Sequence, residues 1–214
     1  MPKIVDHDRR RDEIALVACR VVAEYGFDQA TVVRIAREAG YTTGMVAHYF
    51  DTKQEIIVAA LRLMLRRVDE RLLRNSEGER PDLLALLAET LPVDEERYIE
   101  CAFWTAFWGQ VTADKRLKRI NAWVHREYQR LYERCLSHAW PEWPHWPAGV
   151  RDIVLRSVMT FINGLTASTV ASRADWPPEK QTEQMRLQIA MLRDWAAKAA
   201  AAPAKTRQER SSAA

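Results

Sequence analysis

Gly40 divides the stretch TVVRIAREAGYTTGMVAHYFDTK, residues 31–53, into two short apolar periods, and few folds accommodate two helices so brief and so close together. Thr31 has the side chain of an N-cap, and Val32, Val33, Ile35, Ala36 and Ala39 follow it at helical spacing. Gly40 can take the left-handed conformation that closes a helix. A second start comes at once. Thr42 or Thr43 caps a helix carrying Met45, Val46, Tyr49 and Phe50, and Asp51-Thr52 ends it and opens the next. Two helices of this size about a glycine turn have the dimensions of a helix-turn-helix, whose second helix enters a DNA major groove.

The rest of the chain is organised to carry that unit. With seven glycines in 214 residues and no alternating apolar strand, the sequence predicts an all-α protein. A first helix is expected over about residues 9–25, with Ile14, Val17, Ala18, Val21, Val22 and Tyr25 on one face and Gly26 closing it. A long helix over residues 53–75 turns Ile56, Ile57, Ala60, Leu63, Met64 and Val68 inward, leaving Arg62, Arg66, Arg67 and Arg71 largely outward. The polar run 75–81 reads as a junction. Further helices are expected over 82–91, from the Asp94 cap to about 113, and over 115–139, 150–173 and 178–202. Three prolines bar regular helix from 141–149. The division expected is a DNA-binding head over 8–68, with its helix-turn-helix at 31–50, a helical body over 75–202, and a disordered polar tail over 203–214.

Several functional classes are disfavoured. Cys19, Cys101 and Cys135 are odd in number and lie in apolar periods, so they read as buried thiols and not as a disulfide framework or zinc site. Phosphate loops, HExxH and CxxC spacings and nucleophile elbows are absent, and the five histidines stand apart. An enzyme, a cofactor and a metal are therefore not expected. No run reaches the roughly 18–20 apolar residues of a membrane span, and residues 1–13 lack the apolar core of a secretion signal, so a cytoplasmic protein without a membrane partner is expected. Net charge is +3, but residues 1–53 hold eight Lys/Arg against eight Asp/Glu. DNA contact must then rest on where individual side chains sit.

Those side chains are identifiable. Thr31, Thr42 and Thr43 stand at helix starts, where backbone N–H groups favour a phosphate oxygen, although simple capping explains them too. Gly44 permits close backbone approach, and Met45 and Ala47 can touch a thymine methyl, with Met45 or Val46 competing for the core. His48, Tyr49 and Lys53 form the polar end, and Arg34 adds a cation. In the body the clue is asymmetry, because all eight tryptophans follow residue 100. Phe103-Trp104 and Phe107-Trp108 repeat four residues apart. They read either as core or as a pocket of Phe103, Trp104, Phe107, Trp108 and Trp123, with Asn163 as a polar contact. Such rings hold a choline-like cation, worth on the order of 2 kcal/mol when desolvated, or a neutral aromatic compound. The last two helices are apolar around most of their circumference and need cover on two sides.

Over about residues 11–61, YGFDQATVVRIAREAGYTTGMVAHYFDTKQEII and its flanks resemble the TetR/AcrR family of bacterial repressors. LPVDEERYIECAFWTAFW, residues 91–108, is similar to the BetI-like group named for the choline-responsive repressor. The resemblance implies a homodimer joined through its last two long helices, with paired heads on a pseudo-palindromic operator and a body whose small-molecule effector releases DNA. It also places phosphate clamps on His48, Tyr49 and Lys53. Tyr41 departs from the small aliphatic residue usual in that turn. The competing reading keeps the DNA-binding fold but gives control to a partner protein.

Overall fold

Side-chain capping bonds set six of the helix starts in this computed structural model, which describes residues 3–76, 81–112 and 114–202. The helices are α1 Lys3–Tyr25, α2 Val32–Glu38, α3 Thr43–Tyr49, α4 Lys53–Asn75, α5 Leu83–Ala88, α6 Glu95–Val111, α7 Lys115–Ala139, α8 Ala148–Ala171 and α9 Pro178–Ala201. Among the described residues there is no strand. Thr31, Thr42, Thr52, Asp82, Asp94 and Asp114 each accept a first-turn N–H on a side-chain oxygen. Gly26 and Gly40 have φ of +82° and +71°, and the second lets the Tyr41 amide donate to the Ala36 carbonyl at 2.8 Å. The expected junction falls largely, and the expected tail wholly, outside the described residues.

Three boundaries differ from expectation for local reasons. α1 begins at Lys3, well before the first apolar period, and its polar turns are supported by pairs such as Arg9–Glu13 at 3.6 Å. Helix α5 stops at Ala88, and Leu91 is buried from the following turn. The proline segment folds as a single 3-10 turn, Trp143–His145, in which Trp143 packs on Trp146 at 5.9 Å and Trp146 on Trp140 at 5.5 Å. Val33, expected inward, is 65% exposed. Contrary to expectation, α8 is long and apolar enough by composition to cross a membrane, with a mean hydropathy of 1.3. Here it packs against α6, α7 and α9.

Helix α1 lies along both α4 and α6, so the two halves of the chain share one core. Ile14, Ala18, Val21 and Val22 meet the inward residues of α2, α3 and α4. Phe103 and Phe107 are completely buried in the body. The unexpected member is Arg71. Its side chain, expected outward, is only 12% exposed, because its guanidinium donates to Glu100 Oε2 at 2.6 Å and Oε1 at 3.1 Å and to the Glu89 carbonyl at 3.3 Å. Arg97 reaches the Glu89 carboxylate from the other side at 3.2 Å. Glu96 and Glu100 also receive Arg67, at 2.6 and 3.8 Å.

Two measurements check this interior. Glu100→Ala strands a buried guanidinium, a loss of about 3–5 kcal/mol, and should lower Tm by roughly 10 °C in calorimetry. Burial pushes the thiols of Cys19, Cys101 and Cys135 up to about 12. All three are therefore protonated at pH 8, and a thiolate-selective disulfide reagent should titrate none of them in the folded protein and all three in guanidinium.

Candidate DNA interface and effector cavity

Thr42, not Thr43, caps α3, accepting the Met45 N–H at 3.1 Å. That assignment fixes the helix phase. Val46 turns fully into the core, Met45 is half-buried, and Thr42, Thr43, Gly44, Ala47 and His48 form the exposed face. On α2, Thr31 Oγ1 accepts the Arg34 N–H at 3.2 Å, while the Arg34 guanidinium lies 4.6 Å from the Tyr25 ring.

The orientation of α3 is set from α1. The Arg11 guanidinium donates to the Tyr49 carbonyl at the end of α3 and lies 4.1 Å from the Phe50 ring. Tyr41 is the other tie. Its hydroxyl donates to Glu13 Oε2 at 2.6 Å and accepts from Arg10 at 2.5 Å, so the departure noted in the turn is a bolt between turn and α1. His7, which carries no motif, packs on Tyr49 at 4.9 Å, and His48 meets the same ring edge-on at 5.3 Å. Lys53 is not a free cation. Its ammonium donates to the Phe27 carbonyl at 2.5 Å and sits 4.5 Å from the Phe27 ring, and burial lowers its pKa.

The body holds a cavity of about 160 Å³ between α6, α7 and α8. Trp104, Trp108 and Asn163 line it as expected. Phe103 and Phe107 do not, because their positions on α6 turn both rings into the core. Trp123 also lies elsewhere, on an outer groove where the Arg62 guanidinium is 5.8 Å from its ring. In their place stand Tyr128 and Tyr132 of α7, whose rings are 5.9 Å apart, with Tyr128 edge-on to Trp104 at 5.5 Å. Burial raises the pKa of both phenols, so they face the cavity uncharged. Among the described residues no carboxylate, lysine or arginine lines the cavity. The series Asn121, Val124, Tyr128, Tyr132 at three- and four-residue steps carries the missed signal in the sequence.

A three-helix head with a threonine-capped, exposed second helix, set on a helical body with an aromatic cavity, is the fold of a DNA-binding transcriptional regulator. The family description "Bacterial regulatory proteins, tetR family" matches residues 14–60, and "BetI-type transcriptional repressor, C-terminal" matches residues 79–194. The chain belongs to the TetR family of transcriptional regulators, in its BetI-type branch. It is 36% identical to the regulator PksA of Bacillus subtilis over 110 residues, half of this chain and 54% of that one, so the match spans about half the length of that relative. Identity to the regulator BetI of Stenotrophomonas maltophilia is 27% over 169 residues, 77% of this chain and 83% of the relative. Among solved structures, a transcriptional regulator from Rhodococcus sp. Rha1 superposes with a TM-score of 0.74 at 25% identity, covering 87% of this chain and 97% of that one. A Saccharomonospora viridis regulator in complex with choline has the same fold, with a TM-score of 0.69 at 16% identity over 85% of this chain and 96% of its own.

The Lys53 contacts give a direct test. Lys53→Ala removes the bond to Phe27 and is expected to cost about 1 kcal/mol, lowering Tm by roughly 2–4 °C in a thermal melt. An unchanged Tm would show that the ammonium is not engaged there in solution.

Proposed function

We propose that the protein is a homodimeric repressor that binds a pseudo-palindromic operator and is released from it by a small molecule held in the aromatic cavity. The observation that carries this reading is the double duty of α6. Cys101 and Trp104 line the cavity, while Glu100, one residue before and one turn before them, grips Arg71 of α4. Helix α4 begins at Lys53, directly after the α3 face. An effector that shifts Trp104 therefore acts on the helix that positions the head. The contact set proposed for DNA is Thr31, Arg34, Thr42, Thr43, Gly44, Met45, Ala47, His48, Tyr49 and Lys53, with Lys53 exchanging the Phe27 carbonyl for a phosphate. Thr43 and Ala47 face outward and read bases.

The second copy is supported by α9. Leu187, Met191 and Trp195 recur every four residues and are 55%, 59% and 38% exposed, and Ile153 of α8 is 49% exposed. A stripe of this kind on two long helices suits a self-complementary two-fold interface. Such a regulator works in the cytoplasm, where its operator is. Trp104, Trp108, Tyr128 and Tyr132 provide ring faces for a compact effector, and a choline-like cation is the first candidate, given the choline bound by the Saccharomonospora viridis neighbour.

The experiment is an anisotropy titration on operator DNA selected from a random pool. Choline should release the DNA, and Trp104→Ala should raise the concentration for half-release about 30-fold, the equivalent of roughly 2 kcal/mol of ring contact. Its uncharged isostere 3,3-dimethylbutan-1-ol serves as the comparison. Release by the alcohol and not by choline would assign a neutral effector, and DNA binding that no small molecule disturbs would move control to a partner protein. Met191→Glu, placed in the α9 stripe, should give a monomer by light scattering and abolish operator binding. A dimer that persists would remove α9 from the interface.

A further inference from the structure

Positive charge is held very unevenly along this chain. Helix α7 has seven Lys and Arg against Glu127 and Glu133, a formal +5, whereas the whole chain carries +3. Everything outside α7 is therefore net acidic. Within α7 the excess concentrates at its start. Lys115, Arg116, Lys118 and Arg119 are all exposed, and among the described residues none of their side chains enters an ion pair or hydrogen bond. Further along the helix, Arg130 and Arg134 are paired with Glu127 and Asp69. The nearest acid in sequence, Asp114, is committed to capping, accepting the Arg116 and Leu117 N–H groups at 2.6 and 3.3 Å.

The location of this cluster gives it a partner. Arg116 and Ile120 share an open cleft of about 780 Å³ with Asp8, Arg11 and Asp12 of α1 and with Thr52, Gln54 and Glu55 at the start of α4. Thr52 lies three residues beyond Tyr49, the end of the exposed α3 face. The cleft's acids are largely occupied: Asp12 by Arg66 at 2.6 Å, and Glu55 by the Asp51 N–H at 3.0 Å. Arg116, at the start of α7, thus stands beside α1 and the start of α4, next to the short link that leads back to α3. Residues 1–53, which include α2 and α3, are balanced in charge, and so offer little long-range attraction to a polyanion.

We propose that Lys115, Arg116, Lys118 and Arg119 form a second phosphate-binding surface, which holds the backbone of duplex DNA flanking the operator beyond the reach of α3. Four unpaired, solvated cations on a rigid helix turn contact phosphates without selecting bases. This surface supplies the bulk attraction that the head lacks, and α3 supplies sequence preference. The proposal rests on the head's binding DNA, and the test separates the two.

The test compares the full-length protein with its Lys115→Ala/Arg116→Ala/Lys118→Ala/Arg119→Ala variant on two duplexes, one confined to the operator half-sites and one extended by about 15 base pairs on each side. Dissociation constants are measured from about 50 to 300 mM KCl. With each phosphate contact worth about 0.9 in the slope of log K against log salt, the variant should lose roughly 2–4 units of slope per subunit on the extended duplex. Its affinity there should fall at least tenfold near 100 mM salt, while wild type and variant coincide on the short duplex. A charge-conserving variant, Lys115→Arg/Arg116→Lys/Lys118→Arg/Arg119→Lys, should keep the wild-type slope. Equal slopes for wild type and alanine variant on the extended duplex, or equal losses on both duplexes, overturn the proposal. Wild-type protein that binds neither duplex would refute the head's role, and this surface with it.

Discussion

The pair between Arg71 and Glu100 joins α4, which leaves the head, to α6 of the body, where α1 already packs against both. Both side chains are nearly buried, at 12% and 8% exposure, and each would be costly to leave without the other. A buried pair of this kind adds little net stability over a well-packed apolar pair, but removing either partner strands the other. Glu100 stands one turn before Trp104 on α6, so the pair ties the cavity-lining helix to α4. Glu89 and Arg97 extend the same network to α5, so the base of the body is held as a unit around one guanidinium.

At the other end of α4 the head is held by a different kind of contact. Arg10, Arg11 and Lys53 each bring a cation to a backbone carbonyl, a hydroxyl or a ring, and in doing so fix the loop before α2, the turn between α2 and α3, and the end of α3. Each of these cations is thereby engaged within the head. Residues 1–53 are balanced in charge and use Arg10 and Arg11 in internal contacts, while Arg116 at the start of α7 shares a cleft with α1 and the start of α4.

Much of this was legible in the sequence wherever a local rule operates. Thr31, Thr42, Asp94 and Asp114 act within one turn of themselves, Gly26 and Gly40 answer a backbone need, and prolines bar helix between α7 and α8. These features locate the helices to within a few residues. The cavity was legible only in part. Trp104 and Trp108 line it, but Phe103 and Phe107 share their aromatic character and their helix, and only the phase of α6 against its neighbours separates lining from core. Tyr128 and Tyr132 are as regularly spaced as any core residue. Arg71 follows the pattern of its exposed neighbours Arg62 and Arg66, and nothing local marks Glu89 and Glu100 as its distant partners.

The sequence by itself determined that this chain is helical, where its capped helices begin, and that residues 31–53 make a helix-turn-helix, because capping, glycine conformation and apolar period act over a few residues. Tertiary structure alone decided that Arg71 is buried, that Tyr41 bolts the turn to α1, that Lys53 is spent on Phe27, and that Tyr128 and Tyr132 complete the cavity. Each of those depends on a partner 18 or more residues away, and a side chain's exposure, charge state and use follow from what is packed against it.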